Sequence, residues 1–352
     1  SRHVRDKKTN MTNNDDKNKT FKVAIVGATG AVGLEIIRTI HSRSFPCAAP
    51  SLYASARSAG KTVATPYGAL TINEFERGDV ACAKYDVIFL AVSGSFALRY
   101  ARDLASSTMT AEEGGGGGPL VIDNSSAFRL VDDVPLVVPE INLDSVAATT
   151  RLIANPNCTT AIAAMALWPI HCAHGGIKRC IVSTYQAASG AGAEGMEELK
   201  RGCASQLETN ELPEAKVFSH PLPFNVIPHI DKFQENGYTK EEMKVAWETR
   251  KIFNDPQMLI SCTAVRIPTL RAHSESITVE TRAPITPASA RESLTNQPGV
   301  AVVDEPLDNV YPMPLTATSR HDVEVGRLRQ SLVFEEYGLD LFVCGDQLLR
   351  GA

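Results

Sequence analysis

Cys158 lies in NPNCTTAIAAMAL, where Pro156 fixes the approach of the chain and Thr159 and Thr160 can cap an apolar run that reads as helix. A sulfur at a helix N-terminus meets unpaired backbone N–H groups and the positive end of the helix dipole. Both favour the thiolate over a thiol whose free pKa is about 8.5. That is the setting of a nucleophile able to carry an acyl group as a thioester. The other seven cysteines, scattered from Cys47 to Cys344 without a CxxC spacing, read as small buried hydrophobes. Gln186 ends the run IKRCIVSTY and precedes the glycine-rich AASGAGAEG, where an amide can orient or polarise a carbonyl. Arg266 in TAVRIP and His273 in RAHSESITVE are separated by a short turn, an anion binder beside a group that titrates near neutral pH. Glu241 and Lys244 in EEMK share a helical face and by themselves amount to a solvated ion pair. The pair His171 and His174 has no further clustered ligands, and no HExxH occurs, so no metal is assigned.

These groups need a scaffold, and the N-terminal half supplies a recognisable one. FKVAIV reads as a buried parallel strand, GATGAVG as a tight glycine turn, and LEIIRTIH as a helix. In that context Gly27, Gly30 and Gly33, with Thr29, Ala31 and Val32 between them, let backbone approach a pyrophosphate at the positive helix end. After the next strand, SLYAS, the chain offers Ser55, Arg57 and Ser58 where an NAD enzyme usually has an acid. That cluster suits a 2'-phosphate, and so NADP. Further strands at DVIFLAV and LVID extend a doubly wound α/β pattern. The expected fold is a Rossmann-type NADP-binding domain, residues 21–157 with a returning helix-like tail at about 325–352. An α+β catalytic and dimerisation domain at 158–324 completes it, with strands at Thr263–Ile267 and Ser276–Thr281 around a charged helix at Thr239–Phe253.

GATGAVG, NPNCTT, YQAASGAG, EEMK, RIP and AHSES, in that order from about Phe21 to the end, resemble the aspartate-β-semialdehyde dehydrogenase family. The resemblance implies Cys158 as nucleophile, His273 as acid/base catalyst and Gln186 as the group that positions the carbonyl. It also implies Glu241 at the substrate amino group, Arg266 at its α-carboxylate, and Arg129 with Lys244 at the phosphate. Ser189, Gly190 and Gln347 join the glycine turn on the cofactor side, Gln347 standing where the family usually ends in an asparagine motif. The implied reaction is NADPH-dependent conversion of L-4-aspartyl phosphate to L-aspartate 4-semialdehyde. Its place is biosynthesis of lysine, methionine, threonine and isoleucine, in a homodimer or homotetramer. Two alternatives stay open: an N-acetyl-γ-glutamyl-phosphate reductase, and a silent NADP-binding regulatory module.

Composition limits the other possibilities. A formal charge of -5 over 352 residues lacks the positive excess that drives nucleic-acid binding. No run approaches the roughly 20 apolar residues that span a bilayer, and the first twenty residues are a polar mixture that reads as a disordered leader. A reduced cytoplasmic setting is expected, with organellar targeting by upstream sequence left open. AEEGGGGGP, residues 111–119, reads as a flexible surface insertion.

Overall fold

The computed structural model describes residues 20–82, 85–106 and 118–351. The polar leader up to residue 19 and residues 111–117 of the polyglycine insertion lie outside them. In the first half the elements run β1 (Val23–Val26), α1 (Ala31–Ser42), β2 (Ser51–Ala54), β3 (Thr62–Thr65) and β4 (Gly68–Glu74). They continue with α2 (Arg77–Cys82), β5 (Val87–Leu90), α3 (Gly94–Ala105), β6 (Leu120–Asp123), α4 (Pro139–Asn142) and β7 (Leu152–Ala154). Their sheet has the order β3-β4-β2-β1-β5-β6-β7, parallel throughout except for the β3–β4 hairpin. The strands leave β1 first toward β2 and then toward β5, so the strand order reverses beside β1. Ligands bind at such a switch point, outside the carboxyl ends of the strands, and the GATGAVG turn follows β1.

The second half begins with α5 (Cys158–Ala173) and continues through β8 (Ile177–Tyr185), α6 (Gly192–Thr209), α7 (Lys240–Phe253), β9 (Leu259–Thr263) and β10 (His273–Thr281). Then come α8 (Pro287–Thr295), β11 (Val300–Val302), α9 (Pro314–Ala317), β12 (Val323–Gln330) and β13 (Gly338–Gly345). Here the sheet is mixed, in the order β11-β12-β13-β10-β8-β9. The tail is not helix-like as expected: up to Gly345 it forms strands that pair antiparallel with each other and with β10, and the residues after Gly345 line a cavity shared with Gly30, Ala31 and Val32. GLDLFVCG, with six of its eight residues buried and only Asp340 and Phe342 partly exposed, is the pattern of a strand inside a sheet. TAVRIP also differs from expectation, since the regular strand stops at Thr263 and Arg266 makes only isolated bridges to Gln186 and Ile227.

Helix α5 binds the halves together. Its residues from Thr159 to Leu167 are all buried, and alanines at 161, 163, 164 and 166 let neighbouring elements approach closely. One buried cluster runs from Ala24 and Leu90 in the first sheet through Ile162 and Leu167 to Ile277 and Val343 in the second. The mouth of the nucleotide cleft and the start of α5 thus belong to one packed body, which fixes the position of Cys158.

Glu275 departs from this apolar packing. It is fully buried on β10, and neither carboxylate oxygen has a hydrogen-bond partner among the described residues. Burial holds its pKa well above the ordinary carboxylate range. The unfolded chain then ionises first as pH rises, so this residue destabilises the fold from about pH 4.3 upward, by up to about 1.4 kcal/mol per pH unit until the folded carboxyl itself ionises. Glu275→Gln removes that penalty. In thermal melts its advantage over wild type is expected to widen from pH 5 to pH 8. A constant difference over that range would contradict the assignment.

Candidate active site

Cys158 is the first residue of α5, and Asn157 is its N-cap. The Asn157 side-chain oxygen accepts from the N–H groups of Thr159 at 3.0 Å and Thr160 at 3.2 Å. Asn157 is itself held from α7: its backbone N–H donates to Glu248 Oε2 at 2.6 Å and its Nδ2 to Glu241 Oε1 at 3.0 Å. The residue preceding Cys158 is thus fixed through its backbone and both ends of its amide.

Helix α7 carries Glu241, Lys244 and Glu248 on one face, at i, i+3 and i+7. A capping box starts it: Thr239 accepts from the Glu242 N–H, and Glu242 accepts from Thr239 N–H and from Ala264 N–H. Glu241 is only 6% exposed, and the solvated ion pair read from EEMK becomes the hub of a cavity. Besides Asn157, Glu241 accepts from Gln186 Nε2 at 3.2 Å and from Lys244 Nζ at 3.1 Å, and Lys244 also reaches Asp231 at 2.8 Å.

Gln186 accepts at Oε1 from the Thr184 hydroxyl, which fixes the amide face presented to the cavity. Ala187 then organises the two groups read from RIP and AHSES. Its carbonyl accepts from Arg266 Nη1 at 2.6 Å, and its N–H donates to His273 Nδ1 at 3.1 Å. The neutral imidazole therefore carries its proton on Nε2. That atom is buried without a partner and lies under Gly190, where an added Cβ would come within 3.2 Å of it. Burial first and Arg266 second keep the pKa of His273 well below 6.5.

Two cavities meet at the sulfur. One, of about 410 Å³, is lined by Arg129, Gln186, Glu241, Lys244 and Arg266 together with Asp231. The other, of about 280 Å³, runs from Gly30, Ala31 and Val32 to Ser189 and Gln347. Asn124, Arg129, Asn157, Cys158 and Gly190 line both. Gln347 donates to Ser189 Oγ and accepts from the Ala272 N–H, which anchors the chain end at this second cavity.

A larger cleft of about 1040 Å³ joins Gly27, Thr29 and Gly30 to Ser55, Arg57 and Ser58. Its turn tolerates only glycine at two points. Gly27 has φ +87°, and a Cβ there would stand 2.1 Å from Ala91 O; one on Gly33 would stand 2.4 Å from Gly27 O. No side chain caps α1 and no acid lies in its first turn, so the N–H groups and positive end of that helix are left to an anion. These residues fit a dinucleotide. Sequence reasoning missed Glu74, Phe75, Phe96, Arg99 and Tyr100 in the same cleft, because β4 and α3 bring them there from outside any nucleotide motif. It also missed Asp231 and Glu248.

The thiol departs from expectation. Cys158 keeps partial solvent contact, yet burial first and the Glu241 carboxylate second push its pKa up to about 11, against the pull of Arg129 and Arg266. The helix-start N–H groups credited with lowering it are engaged by Asn157. His171 and His174 are accounted for at the end of α5, where His171 Nδ1 accepts from Ile177 N–H and His174 Nδ1 lies 3.1 Å from Pro284 O.

Residues 22–149 match the family model described as semialdehyde dehydrogenase, NAD binding domain, and residues 167–350 match semialdehyde dehydrogenase, dimerisation domain. An aspartate-semialdehyde dehydrogenase of Aquifex aeolicus is 45% identical over 94% of both chains, and one of Synechocystis is 43% identical over the same shares. The chain belongs to the aspartate-semialdehyde dehydrogenase family. Among solved structures, aspartate semialdehyde dehydrogenase II of Vibrio cholerae complexed with ASA is 38% identical, covers 95% of both chains and superposes with a TM-score of 0.87. A Rossmann-type domain joined to a dimerisation domain is thus the architecture of an enzyme family.

The raised thiol pKa has a measurable consequence. Alkylation of Cys158 by iodoacetamide in the free enzyme is expected to climb with pH through neutrality without levelling off below about pH 10. Glu241→Gln removes the carboxylate that raises the thiol and is expected to shift the profile to lower pH. A wild-type midpoint near the free-cysteine value of about 8.5 would contradict this electrostatic account.

Proposed function

We propose that this enzyme reduces L-4-aspartyl phosphate with NADPH to L-aspartate 4-semialdehyde and phosphate, through an acyl thioester on Cys158. The observation that carries this reading is the position of the sulfur, where a cavity lined by charges of both signs opens onto a cavity leading to the glycine turn. Aspartyl phosphate presents an ammonium, a carboxylate and a phosphate. Glu241 suits the ammonium, Arg266 the carboxylate, and Arg129 with Lys244 the phosphate. Arg129 keeps a buried Nε without a partner, a donor free for an anion.

Cys158 Sγ attacks the acyl carbon held by Gln186, the C–O bond to phosphate breaks, and phosphate departs toward Arg129 and Lys244, taking up the proton that the thiol gives up. A thioester accepts hydride more readily than a carboxylate, and covalent capture divides a hard step in two. NADPH, when bound, supplies the hydride from the side of the glycine turn. His273 Nε2–H donates a hydrogen bond to the oxygen of the tetrahedral adduct, stabilising its negative charge until the C–S bond breaks and the aldehyde forms. The substrate ammonium, paired with Glu241, also offsets the carboxylate that keeps Cys158 protonated, so the nucleophile ionises when there is something to attack. Ser55, Arg57 and Ser58 at the far end of the cleft, with no acid directly after β2, support NADP over NAD.

Glu241 also supports a free amine over the N-acetylated glutamyl phosphate of the related reductases, whose neutral amide would bring no positive charge to this carboxylate beyond that of Lys244. The domain at 158–324 with β12 and β13 supports a homodimer through the outer face of the mixed sheet, where Ile181, Tyr185 and Leu259 are exposed. A homotetramer would pair two such dimers.

In the oxidative direction, phosphate-dependent oxidation of aspartate semialdehyde is expected with NADP, forming NADPH, and is expected to be at least tenfold weaker with NAD, forming NADH. Cys158→Ala abolishes it while retaining NADPH binding. Turnover of the N-acetylated glutamyl semialdehyde in place of aspartate semialdehyde would reject the substrate. NADPH binding without turnover of either would favour the silent module.

A further inference from the structure

Glu248 belongs to none of the motifs that point to the site, yet it touches two of its parts. It is 1% exposed, one turn beyond Lys244 on α7. Oε1 accepts from Arg129 Nη1 at 3.1 Å and Oε2 from the backbone N–H of Asn157 at 2.6 Å. Arg129 follows β6 and Asn157 follows β7, so a single carboxylate from the second domain grips two loops of the first.

The grip on Arg129 is directional. Nη1 is tied to Glu248 and Nη2 donates to Asn124 O at 3.0 Å, while Nε is buried and unpartnered. A guanidinium with both outer nitrogens tethered has its remaining donors aimed by the protein before a ligand arrives, so little conformational freedom is lost on binding. A buried carboxylate also offsets the cost of keeping that cation out of water, which a neutral side chain would not do. A residue that only stabilised the domain interface would not need to hold both the anion-binding guanidinium and the residue that caps the nucleophile's helix.

We propose that Glu248 is a positioning residue that aims Arg129 at the departing or entering phosphate and keeps it in register with Cys158 through Asn157. The inference rests on the reading of Arg129 as a phosphate ligand. In Glu248→Gln the amide oxygen can still accept from Asn157 N–H, but its NH₂ group then faces Arg129 donor to donor, so the cation is released while the nucleophile's turn is kept.

Steady-state kinetics of the full enzyme in the oxidative direction test this, with inorganic phosphate as the varied substrate. Glu248→Gln is expected to raise KM for phosphate roughly tenfold or more, the loss of about one charge-assisted hydrogen bond. KM for aspartate semialdehyde and for NADP, and kcat at saturating phosphate, should stay within about twofold of wild type. A uniform fall in kcat with phosphate KM unchanged means that Glu248 only supports the fold and overturns the proposal. Arg129→Met separates the two readings: if it leaves KM for phosphate unchanged, the phosphate role of Arg129 fails. If it raises that KM and Glu248→Gln does not, only the positioning role fails. Should Glu248→Gln not fold because Arg129 is left unpaired, the double variant Arg129→Met/Glu248→Gln removes both buried charges. Its phosphate KM is expected to match that of Arg129→Met alone. A further several-fold rise in the double variant shows that Glu248 acts independently of Arg129 and overturns the proposal.

Discussion

The arrangement of the site depends on how one short turn is held. Asn157 caps α5 with its side-chain oxygen, gives its side-chain NH₂ to Glu241 and its backbone N–H to Glu248. The bonds to Glu241 and Glu248 cross from the nucleotide-binding half to the other half over a sequence separation of more than eighty residues, and with the cap they set the direction in which Cys158 leaves its helix. If the turn rotated, the sulfur would leave the junction of the two cavities. Burial of α5 on every side makes such a rotation costly, because the helix cannot turn without repacking against both sheets.

The electrostatics of the cavity follow from the same few groups. Arg129, Lys244 and Arg266 bring positive charge, while Glu241, Glu248 and Asp231 bring negative charge, and each cation has a protein partner before any ligand arrives. The resting thiol is therefore held protonated by burial and by Glu241. That inverts the simple view of a helix terminus as the source of a thiolate: the dipole is present, but the N–H groups of Thr159 and Thr160 are already engaged by Asn157. Ionisation falls to the ligand, whose ammonium would change the field at Glu241. His273 completes the pattern as a neutral ring with a fixed tautomer, buried where a free imidazolium would be strongly disfavoured.

What was legible in the sequence was local. Gly27 could be read because a turn with positive φ between a strand and a helix restricts residue type at that point, and Gly33 because the helix start packs too closely on that turn for a Cβ. Cys158 could be read because a proline and an apolar run frame a helix start, although the cap is Asn157 and not Thr159 or Thr160, whose backbone N–H groups are the ones it accepts from. Glu248 could not, since its partners are 91 and 119 positions away and an acid on a charged helix looks like any solvated residue. Asp231 was hidden for the same reason, and Glu74 because β4 pairs beside β2 only in the folded sheet. The pairing of the tail with β10 was not legible because it spans about seventy residues, and no periodicity in GLDLFVCG names the partner. TAVRI looked like a regular strand because β-branched residues mark extended chain, and the chain there is bound to two different segments instead of to a continuous ladder.

The central claim is that an acyl group resides on Cys158 at a junction reached by the nicotinamide. The most direct measurement is a rapid-mixing experiment with enzyme, NADP and aspartate semialdehyde in the absence of phosphate. The account expects a burst of NADPH equal to the number of active sites, a mass increase of one aspartyl group on the peptide containing Cys158, and release of that group when phosphate is added. NADPH formation that saturates without any acyl mass on that peptide, or acylation of a different cysteine, would contradict it.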